Sequence, residues 1–211
     1  MKPVTCYIDY KSPYAYLALD ELCDLEDSSG SAFTWLPYTL DIPDYLGSAT
    51  LDDDGTVIQQ DRSPHQWRKV RYAYMDVRRY ANRKGLTIRG TTKIWDSSLA
   101  GMALLWINRF DDPMAVRRFN MLVFERFWRR DLDIENPAVV TAVLEEAEIS
   151  SDGFGDYLAG PGRVAHDAVC ATAEDQGVFG VPSLMVGDEL FWGREHLALV
   201  AERLEESSRS D

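Results

Sequence analysis

Cysteine and histidine are both scarce in this chain. The three cysteines, Cys6, Cys23 and Cys170, are odd in number and far apart. They form no C-x-x-C pair and no zinc spacing. Each reads as a small buried apolar residue. The histidines, His65, His166 and His196, show no i, i+4 pair and no H-x-E pattern, so no metal site is expected. Long apolar runs are also missing. None approaches the ~18 residues needed to span a bilayer. The opening Met1-Lys2-Pro3-Val4-Thr5-Cys6 has neither an apolar signal core nor a small-residue cleavage site, so a cytoplasmic setting without membrane partners is expected. Basic charge is in deficit, with 22 Lys and Arg against 35 Asp and Glu and a formal net charge of −13. A field of that sign opposes phosphate binding and argues against nucleic acid as a partner.

What remains is an ordinary globular composition. The 211 residues are 45% hydrophobic and 27% charged, enough for a sizeable core. The few basic residues cluster: Arg68, Lys69, Arg71, Arg78, Arg79, Arg83 and Lys84 surround a single Asp76. They read either as a solvated helix face or as a basic flank that attracts a small carboxylate.

The chain opens β-α-β. Val4 to Tyr10 alternates and reads as a strand. Ser12-Pro13 is a strong helix start, with serine at the cap and proline at the first helical position. Ser28-Ser29-Gly30-Ser31 stops that helix, and Phe33 to Tyr38 reads as a second strand, parallel to the first. Residues 41 to 62, turn-rich and acidic around Asp52-Asp53-Asp54-Gly55, are expected to form a loop.

Helices follow. Ser63-Pro64 with Gln66 is a capping box, and Gly85 is the matching C-cap. Asp96 or Ser97, then Asp112-Pro113, then Asn136-Pro137 open further helices. Another is expected from about Arg163 to Gln176. The chain then returns to β: Ser183 to Val186, a Gly187-Asp188 turn, and Leu190 to Trp192. Gly193 precedes a final helix, and the tail from Ser207 to Asp211 reads as frayed. The expected fold is α/β, a thioredoxin-like β-α-β … β-β-α arrangement formed by residues 1–60 and 161–211, with a large all-helical insertion at 61–160.

Three segments hold candidate chemistry. At Tyr10-Lys11-Ser12-Pro13-Tyr14 a strand gives way to a helix whose first N–H groups have no internal partner and whose dipole is positive. A thiolate supplied by a ligand is stabilised there, and Ser12 can donate its hydroxyl hydrogen to it. Alternatively Ser12 is only an N-cap. At Gly180-Val181-Pro182-Ser183 a cis bond at the strand entrance would free the Val181 N–H and C=O to pair with an extended peptide. An ordinary trans turn is the alternative. At Gly193-Arg194-Glu195-His196, Glu195 suits an ammonium and Arg194 a carboxylate, unless Glu195 merely complements the helix dipole.

These segments, in this order, resemble 2-hydroxychromene-2-carboxylate isomerases and the kappa-class glutathione transferases beside them in the DsbA-like thioredoxin superfamily. The resemblance rests on Asp9 to Ala18, on Val178 to Ser183, on Leu190 to Gly193, and in the centre on Lys69 to Tyr74, Asp76 and Ala81 to Leu86. It implies glutathione as cofactor, a small-molecule substrate and a homodimer. It implies that Ser12 is the catalytic serine beside the glutathione sulfur. It further implies that Val181 and Pro182 hold the cysteinyl part and that Arg194 and Glu195 meet the γ-glutamyl end. The chain has Glu195 where the family usually has Asp, and residues 41–55 and 89–97 depart from the family pattern. Tyr14, Tyr45, Trp67 and Trp95 are candidates for an aromatic substrate pocket, with a core role as the alternative.

The leading functional expectation is a glutathione-dependent isomerase or transferase acting on a small aromatic-derived acid. Two alternatives stand beside it. A disulfide oxidoreductase needs two cysteines where Lys11 to Tyr14 lie. A non-enzymatic module would hold a peptide or small ligand at the Val181-Pro182 edge.

Overall fold

The first strand, β1 (Val4–Ile8), ends where Asp9 turns its carboxylate back onto the chain. A computed structural model describes residues 3–52 and 54–208. β1 stops two residues short of the expected Tyr10, because the Lys11 N–H bonds Asp9 Oδ1 at 3.1 Å rather than a neighbouring strand. Helix α1 (Pro13–Ser29) follows at once. The Ser12 side chain caps its first turn and Gly30 closes it in the left-handed conformation. Strand β2 (Phe33–Pro37) lies parallel to β1.

Residues 41–62 are not a loop, and the expectation for them is corrected. Asp41 caps a short helix, α2 (Ile42–Leu46), accepting the Asp44 N–H. A hairpin of β3 (Ala49–Leu51) and β4 (Val57–Gln60) comes next. Asp61 fastens its base by accepting the Ser48 hydroxyl at 3.0 Å. Asp53, in the acidic turn of the hairpin, lies outside the described residues. The elements were hidden because each is five residues or fewer, too short for periodicity to register.

Helix α3 (Pro64–Lys84) has the expected capping box and the Gly85 C-cap. Then come α4 (Ser98–Ile107), α5 (Pro113–Arg129) and α6 (Pro137–Glu146), the last two capped by Asp112 and Asn136. A short helix α7 (Phe154–Ala159), absent from the sequence reading, precedes α8 (Pro161–Asp175), which starts two residues earlier than expected. Strands β5 (Ser183–Val186) and β6 (Glu189–Trp192) form the second hairpin. Gly193 leads into a 3-10 turn, Arg194–His196, and α9 (Leu197–Ser208) begins only after it. The last three residues of the tail expected to fray lie outside the described residues.

The sheet order is β2-β1-β5-β6, with β1 antiparallel to β5. Tyr7 opposite Ser183 brings the end of β1 beside the start of β5. That register sets Ser12 next to Val181. Helix α4 is buried on nearly every side, between β2, α8, α5 and α6. Gly101 permits this: a Cβ there would lie 2.9 Å from Pro37 Cβ and 3.0 Å from His166 Cδ2. One hydrophobic core runs from the sheet into the helices. Buried Glu26 braces three elements, accepting from Phe33 N–H, Trp35 Nε1 and Arg117. Among the described residues no helix is long and apolar enough to cross a membrane.

Candidate active site

Ser12 is the N-cap of α1, with extended backbone angles and 4% exposure. Its Oγ accepts the Ala15 N–H at 3.3 Å and donates to the Val181 carbonyl at a long 3.4 Å. Pro13 has no N–H and the Ala15 and Tyr16 N–H groups are taken by Ser12, so the open end of the helix presents the Tyr14 N–H and the positive end of the dipole. The Val181–Pro182 bond facing it is cis. The bend is fixed on both sides: Ser183 Oγ donates to Gly180 O at 2.7 Å, and Gly193 N–H to Pro182 O at 2.9 Å. Val181 N–H has no hydrogen-bond partner among the described residues. A donor and a weakly used acceptor therefore stand together beside Ser12, the pattern an extended peptide backbone pairs with.

A cavity of about 570 Å³ opens over this junction. Lys11, Ser12, Pro13 and Val181 form part of it, Tyr45 comes from α2, and Val70 and Tyr74 come from α3. The Thr91–Trp95 loop closes another side, and Phe179 and Trp192, their rings 4.8 Å apart, are exposed beside Gly180. A Cβ at Gly180 would lie 2.5 Å from Trp192 Nε1, so a larger residue there would have to displace the indole.

The lining is mostly apolar and contains three cations, Lys11, Arg62 and Lys93, and no carboxylate. Lys93 is paired with Glu135 and lies 4.3 Å from the Trp95 ring centre. Arg62 donates through Nε to the carbonyls of Leu46 and Gly47, and lies over Trp67 at 5.0 Å. Burial pushes the Tyr14 and Tyr45 hydroxyls up. Tyr14 rises to about 12, first through burial and then through the charge of Asp76, to which it donates at 3.3 Å. Tyr45 rises through burial and the charge of Asp9.

Of the residues singled out from sequence, Ser12, Tyr14, Tyr45, Trp95 and Val181 all meet at the cavity, with Pro182 directly behind Val181. Trp67 does not line it. Its indole donates to Gln60 and its face is covered by Arg62. Arg194 and Glu195 also stand outside the lining. The Arg194 guanidinium covers the Tyr80 ring at 4.2 Å and approaches Glu21 at 3.9 Å, while its Nη1 is buried without a hydrogen-bond partner. Glu195 is exposed on the 3-10 turn. The basic cluster on α3 is chiefly a solvated face. Arg78 reaches back to Ile88 O at 3.2 Å and Lys84 to Glu21 at 2.9 Å.

Sequence reasoning missed Lys11, Arg62, Lys93 and Tyr74. Lys11 and Arg62 each carried a local signal, standing just before the capping serines Ser12 and Ser63. The three thiols are free, and Cys6 is buried. Among the described residues no group of three His, Cys, Asp or Glu side chains is placed to hold a metal.

A strand-end serine capping a helix, set against a cis-proline loop on a β-α-β … β-β-α sheet, defines a thioredoxin-type site. The chain belongs to the DSBA-like thioredoxin domain family, whose model matches residues 3–205. A 2-hydroxychromene-2-carboxylate isomerase of Sphingobium xenophagum is 24% identical over 197 residues, covering 93% of this chain and 94% of the relative. Among solved structures, a 2-hydroxychromene-2-carboxylate isomerase superposes with a TM-score of 0.70 at 21% identity, covering 98% of this chain and 96% of that one. A cytosolic disulfide reductase, DsbM of Pseudomonas aeruginosa, solved with GSH, gives 0.66 at 14% identity, covering 98% and 99%.

Proposed function

We propose that this protein is a glutathione-dependent isomerase, or a kappa-like transferase of the same chemistry, acting on a small aromatic-derived acid. The observation that carries the reading is the junction of Ser12 with the Val181–Pro182 loop beneath a cationic, aromatic cavity. Curated relatives named as isomerases span nearly the whole chain, which supports the class of reaction. The neighbour solved with GSH supports the cofactor on this fold.

The residues present fit that group. Val181 offers an unpartnered N–H and a carbonyl held only by a long contact, the pair a cysteinyl backbone needs. Arg194, the candidate for the γ-glutamyl end, stands outside the cavity lining, its Nη1 making no hydrogen bond and lying 3.9 Å from Glu21. Bound glutathione supplies a nucleophilic sulfur, a function no cysteine of this chain is placed to serve. Ser12 releases its long contact to Val181 and donates its hydroxyl hydrogen to the anion at the helix end. The α1 dipole favours the same charge, lowering a thiol from its usual pKa of about 8.5. The cationic lining selects an acid, and the Tyr45 and Trp95 rings provide flat walls for an aromatic body. A homodimer is part of the proposal.

Calorimetry with glutathione and turnover of 2-hydroxychromene-2-carboxylate test the reading together. Glutathione is expected to bind, turnover to require it, and Ser12→Ala to lose turnover while keeping most of the binding. Full turnover by Ser12→Ala at saturating glutathione removes Ser12 from the chemistry. Absence of glutathione binding, with tight binding of a peptide, favours a non-enzymatic module. Reduction of insulin would point to disulfide exchange, for which residues 11–14, Lys-Ser-Pro-Tyr, provide no sulfur.

A further inference from the structure

Lys11 stands one residue before Ser12, and its side chain is only 7% exposed. Its ammonium lies 3.5 Å from Asp9 Oδ2 and 3.4 Å from Ser97 Oγ. Asp9 is fully buried, yet its hydrogen bonds are satisfied without that ammonium. Oδ1 accepts the Lys11 N–H at 3.1 Å and the Ser97 hydroxyl at 2.5 Å, and Oδ2 accepts the Leu40 N–H at 2.8 Å. Ser97 is diverted to this duty from the α4 N-terminus, where its side chain makes no capping bond.

An ammonium has three donors, and both protein contacts of this one are long. The same side chain lines the cavity beside Ser12. Its rivals are already engaged. Lys93 is paired with Glu135, and Arg62 is tied through Nε to two carbonyls and over Trp67.

We propose that Lys11 is a specificity-determining residue: Asp9 and Ser97 hold its ammonium in the cavity wall to take the acidic oxygen of the substrate next to Ser12. The ligand class is an acid whose carboxylate lies close to the reacting carbon. Near-complete burial strengthens the attraction, and the fixed Asp9 keeps the cation in place before the ligand arrives. This inference rests on the cavity being the substrate site, as read above.

The test uses cinnamate and its neutral isostere cinnamamide, with no glutathione present, titrated by tryptophan fluorescence. The wild type is expected to prefer the acid. Lys11→Met should weaken cinnamate about tenfold, the size of a lost charge-assisted hydrogen bond, and leave cinnamamide within about twofold. A merely structural counter-ion to Asp9 would weaken both ligands alike. The pair Asp9→Asn with Lys11→Met removes both buried charges, strands neither, and should show the same loss of acid preference if the single variant folds poorly. Retained preference in both variants, loss of it in Arg62→Met alone, or a wild type that treats acid and amide alike or binds neither overturns the proposal. The glutathione reading fails on a different result, full turnover by Ser12→Ala, which leaves this binding preference untouched.

Discussion

Two helices of this chain start with the same dipeptide, Ser12-Pro13 and Ser63-Pro64, and the two starts have different neighbours. Both serines cap through Oγ at 3.3 Å, to the N–H of Ala15 and of Gln66. Ser63 is exposed, and its cap is completed locally by the Gln66 side chain returning to its own N–H at 2.8 Å. Ser12 is buried, and its second contact crosses to Val181, 169 residues away. A cap satisfied by its own helix is structural. A cap whose remaining hydrogen is directed across a cavity floor to a loosely held carbonyl has a donor it can transfer to a ligand.

The largest expected effect separates the two serines. Ser12→Ala should lower turnover by about a hundredfold or more, the usual loss when one preorganised donor to an anion is removed. Ser63→Ala should leave kcat/KM unchanged and cost about 1 kcal/mol of stability, as the loss of a serine cap does. Aspartate sharpens the contrast because it caps as well as serine. Ser63→Asp should melt like the wild type. Ser12→Asp should also fold, yet lose glutathione binding, because a carboxylate then occupies the place meant for an anion. Equal losses of activity at both positions, measured beside thermal melts, would mean that Ser12 is no more than a cap.

The same contrast explains what was legible in the sequence. Helix starts at Ser12, Ser63, Asp112 and Asn136 were readable because a cap and a following proline act within four residues. The parallel β1–β2 pair and the β5–β6 hairpin followed from order and turn chemistry. The small α2, the β3–β4 hairpin and α7 lay below the length at which a hydrophobic period can show. At the site, the serine and the Val181-Pro182 loop were readable as motifs, while the cis bond was left open against an ordinary trans turn. The cationic lining was not, because a side chain's neighbours there come from distant segments: Ser97 meets Asp9 across 88 residues. Trp67 and Tyr74 share a face of α3 by spacing, and only the packing of Arg62 and Gln60 over Trp67 decides that Tyr74 alone reaches the cavity.

A smaller effect concerns alkali. Tyr14, two residues past the Ser12 cap, is raised to about 12 by burial and then by Asp76, and Tyr16 to about 12 by burial and then by Glu125. In the unfolded chain both fall back towards 10. The folded state therefore holds more protons between about pH 10 and 12, and stability present below pH 10 should decline as pH rises through that window. Tyrosinate absorbance should appear together with loss of near-UV ellipticity. Ionisation of these rings in a fully native protein at pH 10.5 would show that burial does not hold the Tyr14 and Tyr16 hydroxyls up.

The smallest effect is one of contrast between sulfurs. The chain's own thiols are all held in the neutral form: Cys23 is raised to about 11 and Cys170 also raised, both chiefly by burial, and Cys6 lies well above its ordinary value for the same reason. A thiol placed at the α1 N-terminus should shift the opposite way, because dipole and hydroxyl stabilise the anion there. At pH 8 an aromatic disulfide reagent is therefore expected to label the native protein slowly, and to label all three cysteines quickly once denaturant removes the burial. Thiolate absorbance near 240 nm should grow when glutathione is added at the same pH, and less so in Ser12→Ala. Fast native labelling would show that burial does not govern these sulfurs. An equal absorbance in the variant would place the stabilisation in the helix dipole rather than in the serine hydroxyl.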